Sequence, residues 1–265
     1  MSEPATIPND SIPQLPEPGA ASDSRTMDFT ALLETRNPHL FAADLDEKNE
    51  AEARRRQARS DTDEAYRRGR LWESLSNAVG VRYAACTLDG FREYDPRQRA
   101  VLGDIRDYAA SLAERVATGD GLVLMGRPGT GKDHLLAALM REATLDHGIE
   151  VHWINGQDFY GKARDRMDAE GESEAAMIAK LVKPKVLVIS DPISPVGPLS
   201  AFQMATLFRI IDGRYRQCRS TWISVNVVDD KEACERMGAA VVDRLTDGCL
   251  ALWCNWESFR KRNVR

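Results

Sequence analysis

Followed along its apolar and polar positions, the chain changes character twice. Residues 1–27 are rich in Pro, Ser and Asp with almost no bulky apolar side chains. Such a segment cannot offset its ordering entropy, and a disordered tail is expected. Residues 28–85 are charged and rich in Ala, Arg and Glu, including the run EAEARRRQAR from Glu50 to Arg59 and YRRGRLW from Tyr66 to Trp72. This predicts a helical arm with a narrow apolar stripe, either solvated or docking onto a partner or DNA. From residue 86 to 265 the pattern becomes that of a folded domain. After Asp95-Pro96, residues Val101, Leu102, Ile105, Tyr108, Ala109, Leu112 and Val116 fall at helical spacing on one face. Asp95 suits the N-cap and Pro96 the first helical position.

Five apolar runs then follow at 121–125, 150–154, 185–189, 221–225 and 249–253, with helical candidates near 132–146, 157–168, 172–182, 200–217 and 230–246. Continuous apolar strands alternating with helices predict an α/β fold, a mostly parallel sheet covered on both faces. Trp222 and Trp253 lie in these strands and are expected in the core rather than as base-stacking platforms.

Composition narrows the function. With 265 residues, 43% of them hydrophobic, the chain can bury one sizeable core with an appendage to spare. A net charge of −5 argues against a protein that coats nucleic acid, though not against a local basic strip. No apolar stretch approaches membrane-spanning length, and the N-terminus lacks the pattern of a secretory signal. Cys86, Cys218, Cys234, Cys249 and Cys254 are scattered without a CxxC pair. Free thiols in a cytoplasmic protein are expected.

The most specific chemistry lies directly after the first apolar run, in Gly126-Arg127-Pro128-Gly129-Thr130-Gly131-Lys132-Asp133, which opens a helix. It fits the G-x-x-x-x-G-K-[ST] phosphate loop except at its last position. The glycines let backbone N–H groups wrap an anion, and Lys132 supplies a point charge for the β and γ oxygens of ATP. Asp133 stands where a hydroxyl normally meets Mg²⁺. Its carboxylate is either a hard oxygen ligand or a helix-capping charge. The third apolar run ends in Ser190-Asp191, where such ATPases carry a pair of acids. Two readings stay open. One is a decayed site that hydrolyses slowly. The other is an exchange, in which the carboxylate missing at 190 reappears at 133 and the hydroxyl missing at 133 appears at 190. Asp133, Ser190 and Asp191 are thus the candidate metal residues, with Asp191 free to orient water.

Together with Val81–Phe91 (VRYAACTLDGF), Tyr94, the loop followed by His134-Leu135, Val241–Leu245 (VVDRL) and Trp253–Arg260 (WCNWESFR), these motifs resemble bacterial DnaC-type helicase loaders and the related IstB-type transposition helper ATPases. The resemblance covers about Ala78 to Arg260. It implies a P-loop NTPase of the AAA+ type, binding ATP and Mg²⁺, assembling as a homo-oligomer when ATP-bound, and acting on a replicative helicase and single-stranded DNA, with the N-terminal arm as the helicase contact. It implies that Arg244 is an arginine finger reaching a neighbouring subunit, Arg260 a sensor 2-like arginine and Asn226 a sensor 1 residue. From the residues alone, Arg244 could equally pair with Asp243 or Asp247, Arg260 could belong to a solvated basic tail, and Asn226 could end a strand. Lys162, Arg164 and Arg166 form either a mixed-charge solvent face or a phosphate-tracking strip.

Overall fold

The computed structural model describes residues 38–168, 173–195 and 197–262; the tail expected at 1–27 and the end of the terminal basic run lie outside the described residues. The chain divides into a unit ending at Arg59 and a second unit from Ser60 onward. Helix α1 (Pro38–Val79) confirms the helical character of the arm. Before residue 60 its described side chains are exposed and carry i, i+4 pairs such as Glu50–Arg54 and Glu52–Arg56, each worth only about 0.3–0.5 kcal/mol.

In the second unit α1 is anchored. Leu75 is buried, and Arg68 donates to the carbonyls of Leu145 and Asp146. Those carbonyls end helix α5, so Arg68 satisfies acceptors that the helix itself leaves open. A short helix α2 (Val81–Ala84) leads to α3 (Pro96–Ala110), where Asp95 and Gln98 form a capping box. The single helix expected after Pro96 is two: α3 stops at Ser111 and α4 (Leu112–Thr118) begins there. Ser111 leaves helical geometry, and its hydroxyl takes local partners, accepting from Arg115 Nε, as serines do where they interrupt helices. All seven apolar residues of that face are nevertheless buried.

The sheet is β1 (Leu122–Met125), β2 (Val151–Asn155), β3 (Val186–Ser190), β4 (Ser220–Val225) and β5 (Leu250–Trp253), all parallel in the order β2-β3-β4-β1-β5. Strand bounds agree with the five apolar runs to within a residue. Between them lie α5 (Lys132–Leu145), α6 (Gly156–Asp168), α7 (Glu174–Val182), α8 (Ala201–Arg216), α9 (Asp230–Met237) and α10 (Ala239–Thr246), with α11 (Phe259–Arg262) last. The helix expected at 230–246 is broken at Gly238, whose φ of 92° ends α9.

Alternation along the strands separates two cores. Leu122, Leu124, Val186, Val188 and Trp222 face α3, α4 and α5. Val123, Met125, Leu187, Ile189 and Ile223 face α7 to α10. Trp222 is fully buried, and its Nε1 donates to Tyr108; Trp253 is half-buried against the second core. No helix among the described residues is long and apolar enough to cross a membrane. The five cysteines are free thiols.

Arg214 is fully buried and donates to the carbonyls of Leu181, Pro184 and Ser220 and to Thr221 Oγ1. It joins the end of α7 to the starts of β3 and β4 without a carboxylate partner among these contacts. Replacing it with Met leaves several buried carbonyls without donors. Arg214→Met should lower unfolding free energy by about 3–5 kcal/mol, seen as a Tm drop of roughly 10 °C. A variant as stable as the parent in thermal unfolding would show that these bonds do not hold the sheet.

Candidate functional site: a phosphate-binding cleft

The site forms at the carboxyl ends of the parallel strands, where loops leave the sheet and the N-terminus of α5 points outward. This is the usual ligand edge of such sheets. Strand β1 delivers the chain into the glycine loop, and α5 starts at Lys132 with Gly131 as its cap. Buried Leu135, Leu136 and Leu139 clamp α5 onto the sheet, which fixes where its free N–H groups aim.

The loop is held from outside. Cys254 N–H bonds to Met125 O at 2.6 Å, Trp256 Nε1 to Thr130 O at 2.9 Å and Phe259 N–H to Gly129 O at 2.9 Å. The approach is so close that a Cβ on Gly126 would sit 2.5 Å from the Cys254 carbonyl, and one on Gly129 would overlap the Ser258 hydroxyl. Gly129 also has a φ of 84°, which side chains rarely adopt. The segment following β5 therefore serves as a brace for the loop.

A cleft of about 410 Å³ opens beside it. Of the residues singled out from the sequence, Pro128, Gly129, Gly131, Lys132, Asp133, His134, Asp191, Asn226 and Arg260 line it. Gly126, Arg127, Thr130, Ser190 and Arg244 do not. Thr130 is buried, with its hydroxyl donating to Arg127 O; it shapes the loop. Lys132 is 5% exposed, and its ammonium donates to Gly126 O, Arg127 O and Asn226 Oδ1 at 2.8–3.0 Å. Burial pulls its pKa below the ordinary lysine range, and Asp191 and Asp133 oppose that shift. Asn226 meanwhile donates through Nδ2 to Asp191, so one amide joins the lysine to the acid.

Asp133 and Ser190, far apart in sequence, meet: Ser190 Oγ donates to Asp133 Oδ1 at 3.0 Å. Ser224 Oγ donates to the same oxygen at 2.7 Å. Ser190 is buried behind the carboxylate. Asp191 has its pKa raised, first by burial and then by the Asp133 charge, with Lys132 and Asn226 opposing. Two carboxylates in one cleft corner, with the Asp133 charge adding to the proton affinity of Asp191, fit a hard divalent cation. No group of three or more His, Cys, Asp or Glu among the described residues could hold a metal ion by itself, so a cation bound here would draw its remaining ligands from phosphate oxygens and water. That division of ligands suits Mg²⁺.

His134 is engaged at both nitrogens, with Cys86 Sγ at 3.3 Å and Thr87 O at 3.0 Å, and so ties α5 to the segment before α3. Sequence reasoning missed the apolar wall here: Phe91 lies 5.5 Å from both Phe259 and His134, and Tyr94 5.9 Å from Phe259, centroid to centroid. It also missed Ser224, whose place follows from strand register and carries no local signal. Arg260 is exposed at the cleft edge. Arg244 lies elsewhere, on α10. Its ion-pair partner is Asp212 at 2.9 Å, rather than Asp243 or Asp247, and its guanidinium lies over the Phe208 ring. Lys162 and Arg164 are exposed on α6; the side chain of Arg166 is outside the described residues.

A family model for the IstB-like ATP binding protein matches residues 62–265. The chain belongs to this family. It is 29% identical over 190 residues to the replicative helicase loader DnaC of Escherichia coli K12, spanning 70% of this chain and 74% of that protein. It is 28% identical over 186 residues to the replicative helicase loader DnaC of Buchnera aphidicola subsp. Acyrthosiphon pisum, spanning 69% of this chain and 73% of that protein. Among solved structures, the DnaC helicase loader superposes with a TM-score of 0.59 at 25% identity, covering 66% of this chain and 99% of that one. AMPPCP-bound DnaA from Aquifex aeolicus superposes at 0.50 with 18% identity, over 66% of this chain and 51% of that one, a likeness of fold alone. The fold is that of an AAA+ P-loop protein, and in this IstB-like chain the braced glycine loop stands at the mouth of the cleft.

Gly129→Ala adds a methyl where the Ser258 hydroxyl sits and imposes an unfavourable φ. ATP affinity measured by calorimetry should fall about five- to thirtyfold, from a strain of roughly 1–2 kcal/mol. Unchanged affinity would mean that the loop does not need its present shape.

Proposed function

We propose that the chain is an ATP-driven loader or remodeller that places a replicative helicase on single-stranded DNA, working as a homo-oligomer when ATP-bound. The observation that carries this reading is a braced phosphate loop with a two-carboxylate corner in a chain 29% identical to a helicase loader over 190 residues. The arm at 28–85 is assigned to the helicase contact.

In this reading the loop N–H groups and Lys132 bind the β and γ phosphates, Lys132 exchanging its loop carbonyls for phosphate oxygens. Asp133 and Asp191 hold Mg²⁺, with the Ser190 hydroxyl behind them. Bound Mg²⁺ supplies neutralisation of phosphate charge. Asp191 orients the attacking water, and Asn226, which already touches both Asp191 and Lys132, reports the γ-phosphate position to them. Arg260 at the cleft edge answers the triphosphate charge. Arg244 stabilises the transition state in the neighbouring subunit, which requires it to leave Asp212.

Two other readings rest on specific observations. Membership of the IstB-like ATP binding family keeps a transposition helper acting on duplex DNA as a second reading, which a transposase captured with the ATP-bound protein would support. The hydroxyl of Ser190, standing where such ATPases carry an acid, supports a nucleotide-gated adaptor with little hydrolysis.

The test is helicase loading on circular single-stranded DNA with the helicase of the same host. The parent protein with ATP should stimulate unwinding, and Lys132→Ala should not; stimulation by both would sink the reading. The exchange at 133 and 190 has its own test. Asp133→Thr and Ser190→Asp should each cut ATP turnover, and the double variant should recover it. A double variant no better than either single change would show that the two positions act independently.

A further inference from the structure

We propose that Ser224 is a positioning residue of the cation corner, setting the separation between Asp133 and Asp191. The proposal rests on the nucleotide reading above. Strands β3 and β4 pair so that Ser190 and Ser224 are register partners. Both hydroxyls reach out of the sheet to one acceptor, Oδ1 of Asp133 on α5, at 3.0 Å and 2.7 Å. The serines are 3% and 1% exposed, so water does not compete for those bonds. Each hydroxyl spends its one proton on the carboxylate, which fixes the rotamer of Asp133 and leaves Oδ2 as the oxygen without a hydroxyl donor among the described residues.

Ser224 hydrogen-bonds to both acid-bearing residues from a strand that carries neither. Its carbonyl accepts the Asp191 N–H at 3.2 Å, and its Oγ lies 3.4 Å from the same nitrogen. Asp191 holds a φ of 47°, a left-handed conformation that a non-glycine residue keeps only where its surroundings impose it. Ser224 thus holds the Asp133 carboxylate by its side chain, and accepts the Asp191 backbone N–H by its carbonyl and hydroxyl oxygens, which fixes the point from which the Asp191 side chain leaves β3. It also lines the cleft, whereas Ser190 lies behind Asp133. A buried serine at a strand end ordinarily satisfies its hydroxyl on nearby backbone. Here it crosses to a charged side chain on another element, and that acceptor stands in the first turn of the phosphate-binding helix.

A carboxylate at that point repels phosphate unless a cation lies between them, so correct placement of Asp133 sets how much Mg²⁺ nucleotide binding requires. The experiment titrates Mg²⁺ into full-length protein with a fluorescent ADP derivative, reads the Mg²⁺ midpoint of binding, and follows thermal unfolding in parallel. Ser224→Ala keeps the carbonyl and removes only the hydroxyl. The midpoint should rise about tenfold, the equivalent of about 1.4 kcal/mol for one charge-assisted hydrogen bond. Ser224→Cys keeps the volume with a weak donor, should shift the same way, and stands in should the alanine variant fail to fold. In an Asp133→Thr background the further effect of Ser224→Ala should be under about twofold, because the group it positions is gone. Equal shifts in both backgrounds, or no shift in the parent background, would overturn the positioning role. A parent protein that binds the ADP derivative at no Mg²⁺ concentration would instead remove the nucleotide reading, and Ser224 with it. Binding by the parent with an unmoved Ser224→Ala midpoint removes the Ser224 role alone.

Discussion

A negative charge in the first turn of α5, the helix that opens out of the glycine loop, is the constraint around which this site is organised. The helix N-terminus favours an anion, and so does the loop below it, so Asp133 and an incoming phosphate seek the same field. The structure answers by giving the carboxylate two hydroxyl donors from the strands behind it. Those bonds stabilise the charge and hold it to one side, beside Asp191, with the buried ammonium of Lys132 nearby. Lys132 rests meanwhile on two carbonyls of its own loop and on Asn226, partners that a triphosphate can replace.

The second requirement is a loop that keeps its shape before any ligand arrives. Backbone N–H groups directed at one point repel one another, and the loop lacks the regular hydrogen bonding of helix or strand. Its carbonyls are instead bonded from outside by Trp256 Nε1 and the Phe259 N–H, donors carried on the segment after β5. The same segment carries Arg260 to the cleft edge and Phe259 against Phe91. One stretch of chain therefore braces the loop, supplies a cation and closes the apolar wall. Behind it, the parallel sheet needs its inner polar ends satisfied, and Arg214 does this with a fan of donors to strand and helix ends. The buried guanidinium is tolerable because each of these contacts is a short bond to an oxygen.

Much of the architecture was legible because it depends on local pattern. The five apolar runs marked the strands, since a strand buried on both faces has to be apolar throughout. The cap at Asp95 marked a helix start through its own side chain. The breaks at Ser111 and Gly238 were missed, because apolar spacing continued across both and hid the change in backbone. The glycine loop and Lys132 were readable since they form one run of consecutive residues between a strand and a helix.

The sequence by itself therefore determined the α/β class, the strand and helix order, the place of the glycine loop between β1 and α5, and the unusual pairing of residue types at 133 and 190. Only the tertiary structure decided that Ser190 lies behind Asp133, that Ser224 joins it, that His134 is spent on Cys86 and Thr87, and that Arg244 rests on Asp212. The physical reason is range. Periodicity and turn chemistry act over a few neighbouring residues, whereas these contacts depend on strand register and on how α5, α8 and α10 pack, which no single stretch of chain encodes.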